Sequence, residues 1–214
     1  MSAKQLFCLY FLVGFFGFCL STTAFTQNQD YNHGYRSGKF IQMLAQRALD
    51  SLTDRQVPRH VRIERFRALF DDCFAIRSIG KRALGRFWRK ASSSQRMDYQ
   101  KYFERLMVIA YVDRFANYTG KGLIIEGDRI EDGVIATVFS TLHRKNNKKP
   151  VRIDWVVANN GVIFKIVDVK VEGVSMTATL RSEFTSIIRR HNGKIMGLIR
   201  ELEKKTKELS SNLD

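Results

Sequence analysis

The sequence predicts an α+β fold: helices first, then an antiparallel sheet, then helices again. Two observations predict it. Apolar residues recur at helical spacing from Phe40 to about Tyr118, switch to alternation at Leu123, and return to helical spacing at Leu180. The alternating segments are joined by short turn signals, so consecutive strands fold back on one another as a meander. No internal repeat, low-complexity tract or linker divides the 214 residues, and the chain beyond its N-terminal segment fits one domain, residues 25–214.

That N-terminal segment, residues 1–24, has the form of a secretory signal. Lys4 precedes an uncharged run from Leu6 to Leu20, and Ser21, Thr22, Thr23 and Ala24 supply small residues for cleavage. The run falls short of the ~20 residues that span a bilayer. Bulky Phe18 argues against a lipoprotein signal at Cys19. Cleavage also removes Cys8 and Cys19 and leaves Cys73 as the single cysteine, so the exported chain has no internal disulfide. Set among Phe70, Phe74 and Ile76, Cys73 reads as a small buried apolar residue, with a reactive thiol as the alternative.

Phe40, Met43, Leu44 and Leu52 mark the first helix. Phe66, Leu69, Phe70 and Phe74 mark the second, with Pro58 suited to its first turn, and Ile79, Ala83, Leu84, Phe87 and Trp88 mark the third. Ser92 and Gln95 have capping-box spacing and open a long helix that ends at Gly120. Tyr99, Tyr102, Phe103, Leu106, Met107, Ile109, Ala110, Tyr111, Val112, Phe115 and Ala116 cover well over half of its surface. Such a helix is enclosed on several sides, either as a central core helix or as one that also lines an apolar cavity.

The strands are predicted at 123–126, 134–142, 151–158 and 162–171, rich in Val, Ile, Thr and aromatics. Turns fall at Glu131-Asp132-Gly133, Asn146-Asn147 and Asn159-Asn160-Gly161. In the third strand Val151, Ile153, Trp155 and Val157 share one face while Arg152 and Asp154 share the other, so one side is buried and one partly wet. Two helices close the chain. Leu180, Phe184, Ile187 and Ile188 form one stripe, Asn192-Gly193 breaks it, and Ile195, Leu198, Ile199 and Leu202 form the next, with fraying expected from Lys204.

Catalysis finds little support. His33, His60, His143 and His191 are scattered, with no metal-ligand pair at i, i+4, no Gly-x-Ser-x-Gly and no glycine-rich phosphate loop. Asp71 and Asp72 diverge on a helix. Asp168 lies between Val167 and Val169; if it faces inward it needs a partner, most simply an Arg or Lys on a neighbouring element, and a structural ion pair is a better reading than a catalytic acid.

The formal charge is +15, and the surface therefore seeks anions. An exported chain without a nucleic-acid-binding motif points to anionic lipid headgroups rather than to nucleic acid. Arg82, Arg86, Arg89 and Lys90 line one side of the third helix, Arg144, Lys145, Lys148 and Lys149 occupy the second strand connection, and Arg189, Arg190 and Lys194 flank the Asn192-Gly193 break. These are ordinary solvated faces or a docking surface for anionic membrane or an acidic partner; Arg82, Arg86, Arg89 and Lys90 are the docking candidates.

The stretch from Trp155 to Met176, WVVANNGVIFKIVDVKVEGVSM, followed by Arg181-Ser-Glu-Phe184 and Gly193, resembles the MlaC family, the toluene-tolerance or auxiliary-transport group of periplasmic lipid carriers. Leu84-Gly-Arg-Phe-Trp-Arg89 and Tyr102-Phe-Glu-Arg-Leu106 resemble its helical segments, so the likeness spans roughly residues 40–202. Where the family often has two glycines at the helix break, this chain has Asn192-Gly193, and Asn also tolerates the left-handed conformation. The resemblance implies a twisted antiparallel sheet of four to five strands wrapped by helices, with acyl chains held in a pocket between them. It implies a soluble periplasmic protein, without catalysis, that carries phospholipid between an outer-membrane lipoprotein complex and an inner-membrane ABC transporter with a lipid-binding ring component.

Apolar spacing nominates Trp88, Phe103, Met107, Val138, Ile153, Trp155, Val167 and Phe184 as the lining of a pocket between the long helix and the sheet. No metal and no cofactor other than a bound phospholipid is expected, and the protein is expected to be a monomer that touches the membrane surface transiently. The alternatives are a carrier of another, hopanoid-type lipid, a non-carrier basic module, and a small-molecule enzyme with Asp168 as a buried acid. Mass determination of the exported form is expected to give an N-terminus near Phe25; a membrane-bound chain that retains residues 1–24 is the contrary result.

Overall fold

The computed structural model describes residues 23–211, apart from 53, 55, 117–121, 144–148 and 161. The predicted signal segment as far as residue 22, the Asn146-Asn147 turn, the basic residues Arg144, Lys145 and Lys148, and the predicted end of the long helix at Gly120 lie outside the described residues.

Helix α1 (Thr23–Leu52) starts 17 residues before the expected Phe40 and is 30 residues long. Its buried stripe is Ile41, Leu44, Ala48 and Leu52; Met43, counted with that stripe in the sequence, is 54% exposed. The stripe lies against the sheet and against α2 (Arg59–Cys73), which Pro58 precedes as the cap residue, one place before the first turn predicted for it. The expected third helix is two helices, α3 (Ile76–Leu84) and α4 (Phe87–Lys90). Gly85 separates them at φ 58°, ψ −131°, a conformation that residues with a Cβ rarely enter.

The predicted capping box opens α5 (Ser93–Ala116). Ser92 Oγ accepts from the Gln95 amide at 3.2 Å and Gln95 Oε1 accepts from the Ser92 amide at 3.0 Å. Tyr99, Phe103, Val108 and Val112 are fully buried, and the helix is enclosed by α1, α2, α3 and the C-terminal helix. Gly80 lets α3 come close: a Cβ there would lie 2.8 Å from Gln100 Oε1 and 3.0 Å from the Phe103 ring, and Tyr99 Oη donates to the Gly80 carbonyl at 2.9 Å.

The sheet runs β1 (Gly122–Ile130), β2 (Ile135–His143), β3 (Val151–Asn159), β4 (Phe164–Val171), with a two-residue fifth strand, β5 (Val174–Ser175), in simple sequence order. Each pairing is antiparallel. Asx turns close the connections as their residue types predict: Asp132 Oδ1 accepts from the Ile135 amide at 2.9 Å, and Asn160 Oδ1 from the Ile163 amide at 2.9 Å. Bulges between Ile125 and Gly127 and beside Val156 and Val157 bend the sheet around the helices. Asp154, assigned to the wet face, is 5% exposed with Arg152 Nε at 2.9 Å.

α1 covers β1, β2 and β3, while α2, α3 and α6 (Met176–Arg190) reach β4; the long helix is the layer behind them. β4 is pinned to the helices at several points. Lys165 Nζ donates to the Asp71 and Asp72 carbonyls at 2.8 and 2.6 Å, which satisfies the end of α2. Asn192 at φ 55° and Gly193 at φ 76° break the chain between α6 and α7 (Ile195–Ser211), and α7 continues well past Lys204, where fraying was expected, because Thr206 is buried and Leu209 packs on the core.

Among the described residues Asp168 has neither an Arg nor a Lys as its partner. Its carboxylate accepts from Ser175 Oγ at 2.6 Å, Thr177 Oγ1 at 2.7 Å and the Thr177 amide at 3.1 Å. Ser175 Oγ in turn accepts from the Ala178 amide at 3.0 Å, so the carboxylate caps α6 through the capping residue and ties that helix to β4. Asp168→Ala is expected to lower stability by about 3 kcal/mol and the melting temperature by about 9 °C, measured by thermal unfolding. A change under ~1 kcal/mol would remove this network from the structural framework.

Candidate functional site

The eight predicted lining residues do not come together in one place. Val138, Ile153 and Trp155 share the inner face of the sheet by register: Val138 pairs with Trp155, Ser140 with Ile153, and Trp155 with Val169. Trp155 Nε1 donates to Ser140 Oγ at 2.9 Å, and Ser140 Oγ donates to the Ile153 carbonyl at 2.7 Å. The polar edge of the indole is thus satisfied inside the sheet, and its ring is a half-buried apolar surface. Val138 is fully buried.

Phe103 and Phe184 lie in a closed cluster with Tyr99. The Tyr99 and Phe103 rings stack at 5.7 Å, and Phe184 meets both edge-on at 6.1 and 6.2 Å. With these three side chains at most 4% exposed, this cluster is core packing rather than the wall of an open cavity. Met107 is half-buried against the core. Val167 sits in β4 beside the bulge, and its carbonyl accepts a hydrogen bond from Arg82 Nη2.

Trp88 lies elsewhere, in a cleft of about 840 Å³ at the junction of α3, α4, α5 and α6. A second cleft, of about 380 Å³, runs between Asp71 and Ser78 and is closed by Glu104 of α5. Burial and the neighbouring Asp71 carboxylate hold the Glu104 carboxyl above its ordinary range. Neither cleft is bounded by sheet residues, so neither is the space predicted between the long helix and the sheet. Half-buried apolar side chains also pack around the core: Leu123, Ile125, Trp155 and Val169 from the sheet, Met107 and Tyr111 from α5.

Three of the four docking candidates, Arg82, Arg86 and Arg89, line the larger cleft, whereas Lys90 is exposed beside it. Lys81, Arg96 and Arg181 join them. Lys81 adjoins Arg82 in sequence, but adjacent helical residues point apart, so spacing alone does not bring it into the set. Nor does spacing bring in Arg181, since only the fold places it beside a residue 99 positions away, where its Nε donates to the Arg82 carbonyl at 2.9 Å.

Among the described residues no group of three or more His, Cys, Asp or Glu side chains is placed to hold a metal, and no helix is long and apolar enough to cross a membrane. Cys73 is 2% exposed, and burial pushes its thiol above the ordinary range, which suits a packing residue.

The fold is similar to that of a phospholipid-binding protein from Ralstonia solanacearum solved in complex with a phospholipid, with a TM-score of 0.69 and 22% identity over 81% of this chain and 98% of that one. Toluene tolerance protein ttg2D of Pseudomonas putida is 23% identical over 110 residues, 51% of each chain, so this chain spans about half the length of the curated relative it matches. The family model described as MlaC protein matches residues 42–204, from α1 into α7 and through the whole sheet, and the chain belongs to the MlaC family.

Proposed function

We propose that this protein is a periplasmic phospholipid carrier. It buries acyl chains against the inner face of the sheet and moves them between an outer-membrane lipoprotein complex and an inner-membrane ABC transporter with a lipid-binding ring component. The observation that carries this reading is the family match across residues 42–204. The half-buried apolar band supports it, because side chains that are only partly covered can part for an acyl chain at smaller cost than a closed core. Trp155, Ile153, Met107 and Val167 are the lining residues this reading keeps at the surface of the pocket; Phe103, Val138 and Phe184 form the packed floor beneath, and Trp88 belongs instead to the basic cleft.

Burial also dictates how such a carrier works. Each CH₂ taken from water contributes ~0.8 kcal/mol, so two chains of about 15 methylenes represent roughly 24 kcal/mol, most of it equally available in a membrane. Release into water is therefore far too slow, and lipid leaves only while the carrier is docked to something that offers another apolar path. The four-residue docking set, Arg82, Arg86, Arg89 and Lys90, serves that step.

Native mass spectrometry of protein purified from the periplasm is expected to find phospholipid bound, and Ala110→Trp, which adds bulk to α5 beside Tyr111 and Met107, is expected to lower the bound fraction several-fold. A lipid-free protein in both cases sinks the carrier reading. Charge reversal at Arg86 and Lys90 is expected to slow lipid exchange with vesicles and flatten its salt dependence while leaving the bound lipid unchanged, since those contacts are screened over ~8 Å at physiological salt and acyl burial is not. Stripped lipid with unaltered exchange rates would instead place both side chains at the pocket mouth.

A further inference from the structure

The larger cleft gathers cations and no counter-charge. Lys81, Arg82, Arg86, Arg89, Arg96 and Arg181 line it together with Ser78, Gly85 and Trp88, and no carboxylate shares the wall. Among the described residues none of the six is in an ion pair. Three are oriented by neutral groups instead. Arg82 Nη2 donates to the Val167 carbonyl, Arg181 Nε to the Arg82 carbonyl at 2.9 Å, and Arg96 Nε to the Trp88 carbonyl at 3.0 Å. Single donations to carbonyls fix these guanidinium groups and leave most of their N–H donors for a ligand. Like charges held this close repel one another, and an anion between them turns that repulsion into attraction.

We propose that this cleft seats the phosphate of an anionic phospholipid headgroup in a membrane surface and selects against zwitterionic headgroups. Guanidinium groups match phosphate oxygens in pairs, and five of the six cations are arginines. The selection follows from what the cleft lacks. An ethanolamine ammonium finds no carboxylate on its wall. For a choline, the one aromatic ring of the lining, Trp88, already has a cation over it, Arg96 at 5.3 Å. The lining has no large apolar side chain apart from Trp88, which gives an acidic peptide little to anchor on and disfavours a protein as the occupant. The inference rests on the reading that this chain handles phospholipid, and it adds which headgroup the carrier meets and with which residues.

Vesicle flotation tests it, with vesicles of phosphatidylcholine alone, of phosphatidylcholine with phosphatidylethanolamine, and of phosphatidylcholine with phosphatidylglycerol. The protein is expected to float only with the last. The pair Lys81→Glu and Arg89→Glu, both exposed side chains, is expected to weaken that binding by about thirtyfold or more. Arg200→Glu with Lys205→Glu makes the same charge change on α7 and is expected to leave binding within about twofold, and melting temperatures verify that both variants fold.

Equal losses from both pairs would reduce the cleft to diffuse surface charge and overturn the proposal, as would equal flotation with phosphatidylethanolamine vesicles. Displacement by inorganic phosphate at the concentration of the lipid phosphate would make it a free-anion site. Binding of polyglutamate without vesicle binding would make it a protein-docking site. Native mass spectrometry on the same samples separates the two ideas: bound lipid without headgroup selectivity removes only this inference, and absence of bound lipid removes the carrier reading.

Discussion

Enclosing α5 is the constraint on which the rest of the architecture depends. A 24-residue helix with Tyr99, Phe103, Val108 and Val112 fully buried cannot lie on the surface of a two-layer protein, because apolar side chains leave it in too many directions. The chain answers by surrounding it with α1, α2, α3 and α7, and this moves it into a layer behind the helices that touch the sheet. The inner sheet face is then covered by contacts from α1, α2, α3 and α6. Those contacts leave the band from Leu123 to Val169 half-buried rather than sealed. The half-buried band is thus a consequence of one helix claiming the deepest position.

The second organising feature is β4, to which helices from both ends of the chain are fastened. Lys165 holds the end of α2, the Ala75 amide donates to the Ile166 carbonyl at 2.9 Å, Arg82 reaches the Val167 carbonyl, and Asp168 anchors the start of α6. Four consecutive residues of one strand thus fix helices that are about a hundred residues apart in sequence. The basic cleft is a by-product of that fastening. Arg82 and Arg181 are drawn together because the Arg82 side chain reaches β4 while its carbonyl, in the last turn of α3, accepts from Arg181. Charge that would be spread over two solvated helices becomes concentrated at one junction, where it can act on a ligand.

Much of this was legible in the residues, for reasons that stay local. The change of period from helix to strand, the Ser92–Gln95 box, the Asx turns at Asp132 and Asn160 and the break at Asn192-Gly193 each depend on a few neighbours, and each lies where the sequence placed it. The misplacements have equally definite causes. Gly85 splits the third helix through a positive φ that apolar spacing does not register. Asp168 is satisfied by hydroxyls because the tight β4–β5–α6 turn puts Ser175 and Thr177 within reach before any Arg or Lys can arrive. α7 outlasts its apolar stripe because Thr206 and Leu209 still find cover.

By itself the sequence determined the fold class, the order of its elements, the enclosure of the long helix and the excess of positive charge, since these follow from period, capping chemistry and composition. It also held the resemblance that the family match bears out across residues 42–204. Only the tertiary structure decided which apolar residues stay half-open and which cations share a cleft. Phe103 and Phe184 look like Trp155 in any one-dimensional pattern, yet the first two close on Tyr99 while the third stays half-buried. Arg181 joins Arg82 across 99 positions for the same reason: burial and proximity are set by how layers stack, and stacking is not written at any single spacing.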